Sequence, residues 1–130
     1  MKNIIKILVI WVFTSATAMA TDVEIVKVKL DAQGPGKWRA NVTLLHPDSG
    51  WEHYADAWRF MSEDGKLLGT RVLYHPHENE QPFTRSLTLD IPPGASTVYV
   101  EAHDKVHGWS KQRVKIDMNT SSGDRYSIHK

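Results

Sequence analysis

Residues 86–103, with the sequence SLTLDIPPGASTVYVEAH, carry the pattern that decides the fold. Apolar residues occupy every second position before and after a turn at Pro92-Pro93-Gly94. Those positions are Leu87, Leu89 and Ile91 on one side, and Val98, Val100 and Ala102 on the other. Side chains two residues apart lie on the same face of a strand, so each half predicts a strand with one apolar face and one polar face. The prolines and glycine between the halves are typical of a turn.

The same alternation predicts five further strands along the chain. Their apolar positions lie within residues 26–30, 38–44, 58–61, 67–74 and 114–118, and turn residues separate them. The sequence of residues 51–57 is compatible with a strand, a loop or a short helix. The hairpin turn at 63–66 favours a strand directly before it. We therefore predict an all-β fold: a seven-stranded antiparallel β-sandwich of the immunoglobulin or fibronectin-III type.

The first 20 residues predict a secretory signal. Lys2 and Lys6 precede a short apolar core, and Ala18-Met19-Ala20 fits the small-x-small cleavage rule. The apolar stretch is shorter than the roughly 20 residues that a membrane span needs. We expect residues 1–20 to be removed, residues 21–119 to form the sandwich, and residues 120–130 to form a loose polar tail. The prediction is a bacterial protein, periplasmic or secreted, that does not insert into the membrane after cleavage.

The composition argues against several classes of function. The chain has 16 basic and 15 acidic residues, and removal of two lysines with the signal would leave 14 basic against 15 acidic residues. Nucleic-acid binding needs a concentrated basic surface, which this balance does not indicate. Because the chain has no cysteine, it has no disulfides, thiolate metal ligands or thiol nucleophile. Packing must therefore stabilise the fold.

Six of the seven histidines are predicted to lie at one end of the sandwich. If successive strands run antiparallel, the second, fourth and sixth connections, at residues 46–53, 75–82 and 103–109, share that end. In or beside these connections lie His46, His53, His75, His77, His103 and His107. We call this end the histidine pole. Imidazole is the commonest protein metal ligand and titrates near neutral pH, so the pole is the candidate functional site.

A divalent metal site is the first hypothesis for the histidine pole. His75 and His77 are two residues apart and point the same way in an extended segment. We predict that these two residues and His107 are the main ligands of Zn(II) or Cu(II) in a non-catalytic binding protein. Further candidate ligands are His53 and His103. Carboxylates that could orient the imidazoles or bind the ion are Asp56, Glu78, Glu80 and Asp104.

The histidine pole also fits three further interpretations. Histidines in polar loops often serve only as turn residues, and His46-Pro47-Asp48 fits an Asx-type turn without a ligand role. Trp51, Tyr54 and Trp109 lie in or beside the same connections, where exposed aromatic rings could bind a periplasmic protein or a glycan. Metal-dependent hydrolysis is the weakest hypothesis, because the sequence contains none of the common hydrolase or phosphate-binding motifs.

Four stretches of the chain resemble small exported bacterial immunoglobulin-like β-sandwich proteins of unassigned function. They are GWEHYAD, LGTRVLYHPH, QPFTRSL and VHGW, at residues 50–56, 68–77, 81–87 and 106–109. The resemblance covers most of the chain after the signal and implies an exported sandwich, but it implies no activity. The chain is also similar in size and fold class to exported copper-carrying sandwiches, although it lacks their N-terminal histidine and methionine-rich stretches.

Overall fold

A computed structural model describes Ile10 and residues 22–130, and these residues form ten strands and no helix. The strands are β1 (Glu24–Gly34), β2 (Lys37–Leu45), β3 (Ala55–Ser62), β4 (Leu67–Val72), β5 (Phe83–Asp90), β6 (Thr97–Asp104), β7 (Gly108–Trp109), β8 (Val114–Asp117), β9 (Ser122–Gly123) and β10 (Tyr126–His129). The predicted signal at residues 1–20 lies outside the described residues, Ile10 excepted. No helix in the described part of the chain is long and apolar enough to span a membrane.

The ten strands form two sheets of five strands each. In the first sheet the order is β5-β2-β1-β10-β9. In the second sheet the order is β4-β3-β6-β7, and β8 also pairs with β6. Strand β2 lies between β1 and β5, and β6 lies between β3 and β8. Strands β2 and β6 are therefore hydrogen-bonded along both edges. Each of the seven predicted strands is present, as β1 to β6 and β8.

The core consists mainly of the alternating apolar residues of the predicted strands, although β4 contributes little because its Leu67 and Val72 are exposed. On β6, burial alternates along the whole strand, and Val98, Val100 and Ala102 are fully buried. Trp58 and Phe60 of β3 are also fully buried, and their rings meet edge to face with centroids 5.9 Å apart. Burial of large apolar side chains is the main stabilising contribution in a domain without disulfides.

The C-terminal residues do not form the expected loose tail. Residues 122–129 contain β9 and β10, and β10 pairs in parallel with β1, with Val28 opposite Tyr126 and Leu30 opposite Ile128. Tyr126 and Ile128 are both buried. Two alternating apolar residues in a polar stretch were too short a pattern to predict a strand, but they are enough to complete the sheet beside β1. The fold therefore has more strands than the seven predicted, and one of its pairings is parallel.

The connections that carry the histidines meet at one end of the two sheets, as predicted. Residues 51–54 form a short loop that contains a turn and a bend, and strand β3 begins at Ala55. Of the three structures left open for residues 51–57, the chain thus adopts a loop followed by a strand. Ala55 at the start of β3 lies opposite Asp104 at the end of β6. This pairing places the loops before β3 and after β6 side by side, and the loop after β2 joins them through contacts described below.

Candidate metal centre

His46 is the most completely enclosed histidine of the pole. It follows the last residue of β2, and its side chain has no solvent exposure. Its Nδ1 donates a 2.5 Å hydrogen bond to Oδ1 of Asp48, which requires the proton to be on Nδ1. The other ring nitrogen, Nε2, is buried and has no hydrogen-bond partner. A carboxylate that fixes the tautomer of an imidazole in this way is typical of metal-binding histidines.

Asp48 ties His46 to two other segments of the pole. Besides the His46 ring, its Oδ1 accepts a 3.0 Å hydrogen bond from the Ala55 backbone amide. Its Oδ2 accepts a 2.8 Å hydrogen bond from the backbone amide of His77. The Asx-type turn expected at His46-Pro47-Asp48 is therefore not a simple local turn, because this carboxylate joins three separate segments of the chain.

Asp104 is a buried carboxylate opposite His46. It is the last residue of β6, shares the inward parity of Ala102, and has no solvent exposure. Its Oδ1 accepts hydrogen bonds of 2.9 Å and 2.7 Å from the backbone amides of Val106 and His107. Burial alone would raise the pKa of Asp104, but these two amides and the His107 ring lower the pKa below its ordinary value. The group is therefore a carboxylate anion at neutral pH.

His53 completes a three-residue group around this carboxylate. A backbone hydrogen bond from Ser49 to the carbonyl of His53 (2.9 Å), and another from His53 to Gly50 (3.2 Å), close the turn that presents the ring. The rings of His46 and His53 meet edge to face with centroids 4.8 Å apart. As in His46, the Nε2 atom of His53 is buried and has no hydrogen-bond partner.

The free nitrogens of both rings face the Asp104 carboxylate at distances that do not suit a hydrogen bond. His46 Nε2 lies 3.8 Å from Oδ2, and His53 Nε2 lies 3.5 Å from Oδ1. With metal–ligand bonds of about 2.1 Å, neighbouring ligand atoms of a tetrahedral site are about 3.4 Å apart. One ligand atom from each of the three residues lies within 4.8 Å of the others. We call His46, His53 and Asp104 the inner group.

A second group shares Asp104 and faces solvent. His107 Nδ1 lies 3.1 Å from both oxygens of Asp104, and the His107 side chain is 30% exposed. Asp22, which precedes β1, contributes a carboxylate within 4.8 Å of ligand atoms from Asp104 and His107. We call Asp22, Asp104 and His107 the outer group. Of the predicted main ligands, His107 is thus the one that lies beside the inner group.

His75 and His77 lie together, but their surroundings differ from those of the inner group. Their ring centroids are 4.5 Å apart, and the His77 ring stacks on Phe83 at 4.0 Å. The Arg85 guanidinium donates a 2.8 Å hydrogen bond to Nε2 of His77. Burial and the Arg85 charge hold the pKa of His77 below its ordinary value. Nε2 of His77 thus already accepts a hydrogen bond from the Arg85 cation. Within the described chain, His75 and His77 belong to no group of three metal-ligating residues.

His103 points away from the inner group. Neighbouring residues of a strand face opposite sides, so His103 lies on the outer face of its sheet while Asp104 faces the core. Its Nδ1 donates a 2.5 Å hydrogen bond to Asp56, and its ring meets Trp109 edge to face at 4.9 Å. Of the predicted oxygen ligands, Asp56 thus orients His103 rather than a residue of the inner group.

The three aromatic residues proposed for partner binding do not form one surface. Trp51 is 64% exposed, whereas Tyr54 is buried and meets the Trp51 ring edge to face at 5.9 Å. Trp109 lies on β7, half-buried beneath the Arg59 guanidinium, which is 3.6 Å from the ring centroid. An open groove runs beside Trp51 and is also lined by His75, Glu78 and Glu80.

The sequence named Asp104 only as one of four candidate carboxylates, and it named His46 as a histidine of the pole without a ligand role. A signal for Asp104 was present, because it continues the inward parity of Val98, Val100 and Ala102 on β6. An acidic side chain at an inward position needs partners that satisfy its charge, and this requirement points to a site. No comparable signal marks His46, since its partners come from residues that only the folded loops bring close.

The chain is similar to a protein described as "Putative lipoprotein" from Halomicrobium mukohataei. The two sequences are 39% identical over 102 residues. The match covers 78% of this chain and 49% of that protein, so the chain spans about half the length of the relative. No protein-family model matches the chain, and no solved structure gives a significant match.

Proposed function

We propose that this protein is an exported, non-catalytic binding protein for a divalent transition-metal ion, Zn(II) or Cu(II), held by His46, His53 and Asp104. The observation that carries the proposal is the pair of buried, unpartnered Nε2 atoms that face one buried carboxylate. Each unsatisfied buried polar atom costs about 1–3 kcal/mol, and a bound cation would satisfy both nitrogens and the carboxylate together. His75, His77 and His103 have no ligand role in this proposal.

The chemistry of the three ligands favours Zn(II) or Cu(II) over a hard cation. Imidazole nitrogen suits zinc and copper, whereas calcium and magnesium prefer sites made entirely of oxygen ligands. The Asp48–His46 hydrogen bond supplies the outer carboxylate that commonly supports such a histidine. His46 and Asp104 have no solvent exposure, which favours a site that holds an ion away from substrate, although three protein ligands leave one position of a four-coordinate ion for water or a further ligand.

The fold and the location are part of the same proposal. The placement of β2 between β1 and β5, and of β6 between β3 and β8, supports an immunoglobulin-like or fibronectin-III-like sandwich. The predicted signal, and a relative described as a lipoprotein, support export to the periplasm or beyond. The bacterial origin stays a prediction.

Metal titration of the untagged, exported protein tests the proposal. We expect calorimetry with Zn(II) and with Cu(II) to show one ion per chain. Ligation by the folded state stabilises it by mass action, by about 2.7 kcal/mol when free metal exceeds the dissociation constant a hundredfold. Asp104→Asn should weaken binding strongly while its amide oxygen still accepts the two backbone hydrogen bonds. Absence of stoichiometric binding at micromolar metal would exclude the proposal.

Histidines at the same pole provide matched controls. His103→Ala removes an imidazole outside the inner group and should leave the affinity unchanged. The double variant His75→Ala/His77→Ala tests the ligands predicted from the sequence, and we expect it to keep one bound ion per chain. If the double variant abolished binding and Asp104→Asn did not, the ion would lie in the 75–77 segment, and the assignment to the inner group would be wrong.

The groove beside Trp51 supports a second candidate function, the binding of a glycan or a protein segment. A 64% exposed tryptophan with two glutamates in the same groove is a surface on which a sugar ring or a basic segment could pack. Trp51→Ala should then weaken capture of such a ligand without changing the melting temperature, whereas Trp109→Ala should not weaken it. Equal binding by Trp51→Ala and the unmodified protein in a glycan or peptide array would refute this function.

A further inference from the structure

We propose that Asp22 and His107, together with Asp104, form an entry site that receives a divalent ion from solvent and passes it to His46 and His53. The inference rests on the proposed function and concerns how its site is loaded. The two groups share Asp104, and one ligand atom from each residue of a group lies within 4.8 Å of the others. A single carboxylate can therefore contact an ion in either group.

The residues found only in the outer group are more exposed to solvent than those found only in the inner group, as loading from solvent requires. The side chains of His46 and Asp104 have no solvent exposure, and His53 has 17%. His107 is 30% exposed, and Asp22 is half-buried at the start of the described chain segment. Among these residues, the outer group is the part of the pole that a hydrated ion meets first.

The ligand chemistry also favours movement from the outer group to the inner group. The outer group offers two carboxylates and one imidazole, which readily replace water around a hydrated cation. The inner group offers two imidazoles and one carboxylate, and imidazole binds Zn(II) and Cu(II) more strongly than oxygen ligands do. An ion of this class should therefore bind the outer group weakly and the inner group tightly.

The two oxygens of Asp104 have different surroundings, which defines the path. Oδ1 is held by the backbone amides of Val106 and His107. The His107 ring lies 3.1 Å from both oxygens, but it is the hydrogen-bond partner of Oδ2 without a backbone amide beside it, and Oδ2 lies 3.8 Å from Nε2 of His46. Rotation of the exposed His107 ring would free Oδ2 for an incoming ion without disturbing the two backbone hydrogen bonds.

Rapid mixing with Cu(II) tests this route, with the quenching of tryptophan fluorescence as the signal and a competing chelator to measure the equilibrium affinity. Asp22→Asn should slow association by about tenfold, which is the lower end of the range by which electrostatic attraction raises association rates. It should slow dissociation by a similar factor, so the equilibrium affinity changes by less than about threefold. The matched control is Glu24→Gln, which removes the same charge two residues away, where Glu24 pairs with Arg125 at 3.1 Å. The control should leave both rates unchanged.

Each result separates the loading route from the binding function. If the unmodified protein binds one ion and Asp22→Asn leaves the association rate unchanged, the route is wrong and the binding function stands. The route is also wrong if Asp22→Asn and Glu24→Gln slow association equally, because the effect is then one of general charge. A loss of equilibrium affinity as large as the loss of association rate, or a stoichiometry of two ions, would make Asp22 an ordinary ligand and overturn the route. Failure of the unmodified protein to bind Cu(II) removes both proposals.

Discussion

The Asp48 carboxylate organises the histidine pole, and Asp48→Asn is predicted to destabilise the protein even without metal. Asp48 accepts hydrogen bonds from the His46 ring, the Ala55 amide and the His77 amide. Asparagine has one oxygen and one NH2 group, so in either orientation its NH2 faces at least one of these donors. A hydrogen bond to a charged group contributes about 1.5–3 kcal/mol, and the loss of one predicts a destabilisation of about 2–3 kcal/mol.

Urea denaturation, followed by tryptophan fluorescence, measures this change. The expected destabilisation corresponds to a melting temperature lower by about 10–20 °C for a domain of this size. Asp56→Asn is a matched control, because Asp56 also accepts a 2.5 Å hydrogen bond from a histidine, His103, but with side chains that are 26% and 28% exposed. The control should lose less than about 1 kcal/mol. Equal effects of the two substitutions, or a loss below about 1 kcal/mol for Asp48→Asn, would refute the role assigned to Asp48.

Two further predictions concern His77 and the C-terminal strand. Because the pKa of folded His77 lies below its ordinary value of 6.5, the unfolded chain binds more protons as pH falls through about 6.5, and the free energy of unfolding should fall with it. Denaturation of the metal-free protein between pH 7.5 and 5 checks this, and an equally steep pH dependence in His77→Gln would contradict it. Ile128→Ala should cost about 2–4 kcal/mol in urea denaturation, because Ile128 is buried in β10. Replacement of exposed Lys130 by Ala should cost less than about 0.5 kcal/mol, and equal effects would show that β10 contributes no packing.

Much of the fold was predictable because the alternation of apolar residues is a local property of the sequence. The seven predicted strands lie where the pattern placed them, and the alternating direction of the strands brings the histidine-bearing connections to one end. The pattern could not predict β10. Only Tyr126 and Ile128 alternate in that segment, and their burial depends on pairing with the edge of β1 that β2 does not occupy.

The histidine pole was predictable as a region, but the sequence did not indicate which of its side chains lie within a few ångströms of one another. His75 and His77 share a direction, as the spacing indicated, but Arg85 and Phe83 occupy their surroundings. The convergence of His46 and His53 depends on loop hydrogen bonds between residues far apart in sequence, which no local pattern encodes. Asp104 was already one of the candidate carboxylates, and its inward parity on β6 distinguishes it from the other three.

The most direct test is a crystal structure of the protein with Zn(II), using anomalous scattering to locate the ion. We predict one strong peak about 2.0–2.2 Å from Nε2 of His46, Nε2 of His53 and an oxygen of Asp104. A peak bound by His75 and His77 or by His103, or no peak at the histidine pole under saturating zinc, would contradict the central claim that these three side chains form the metal site.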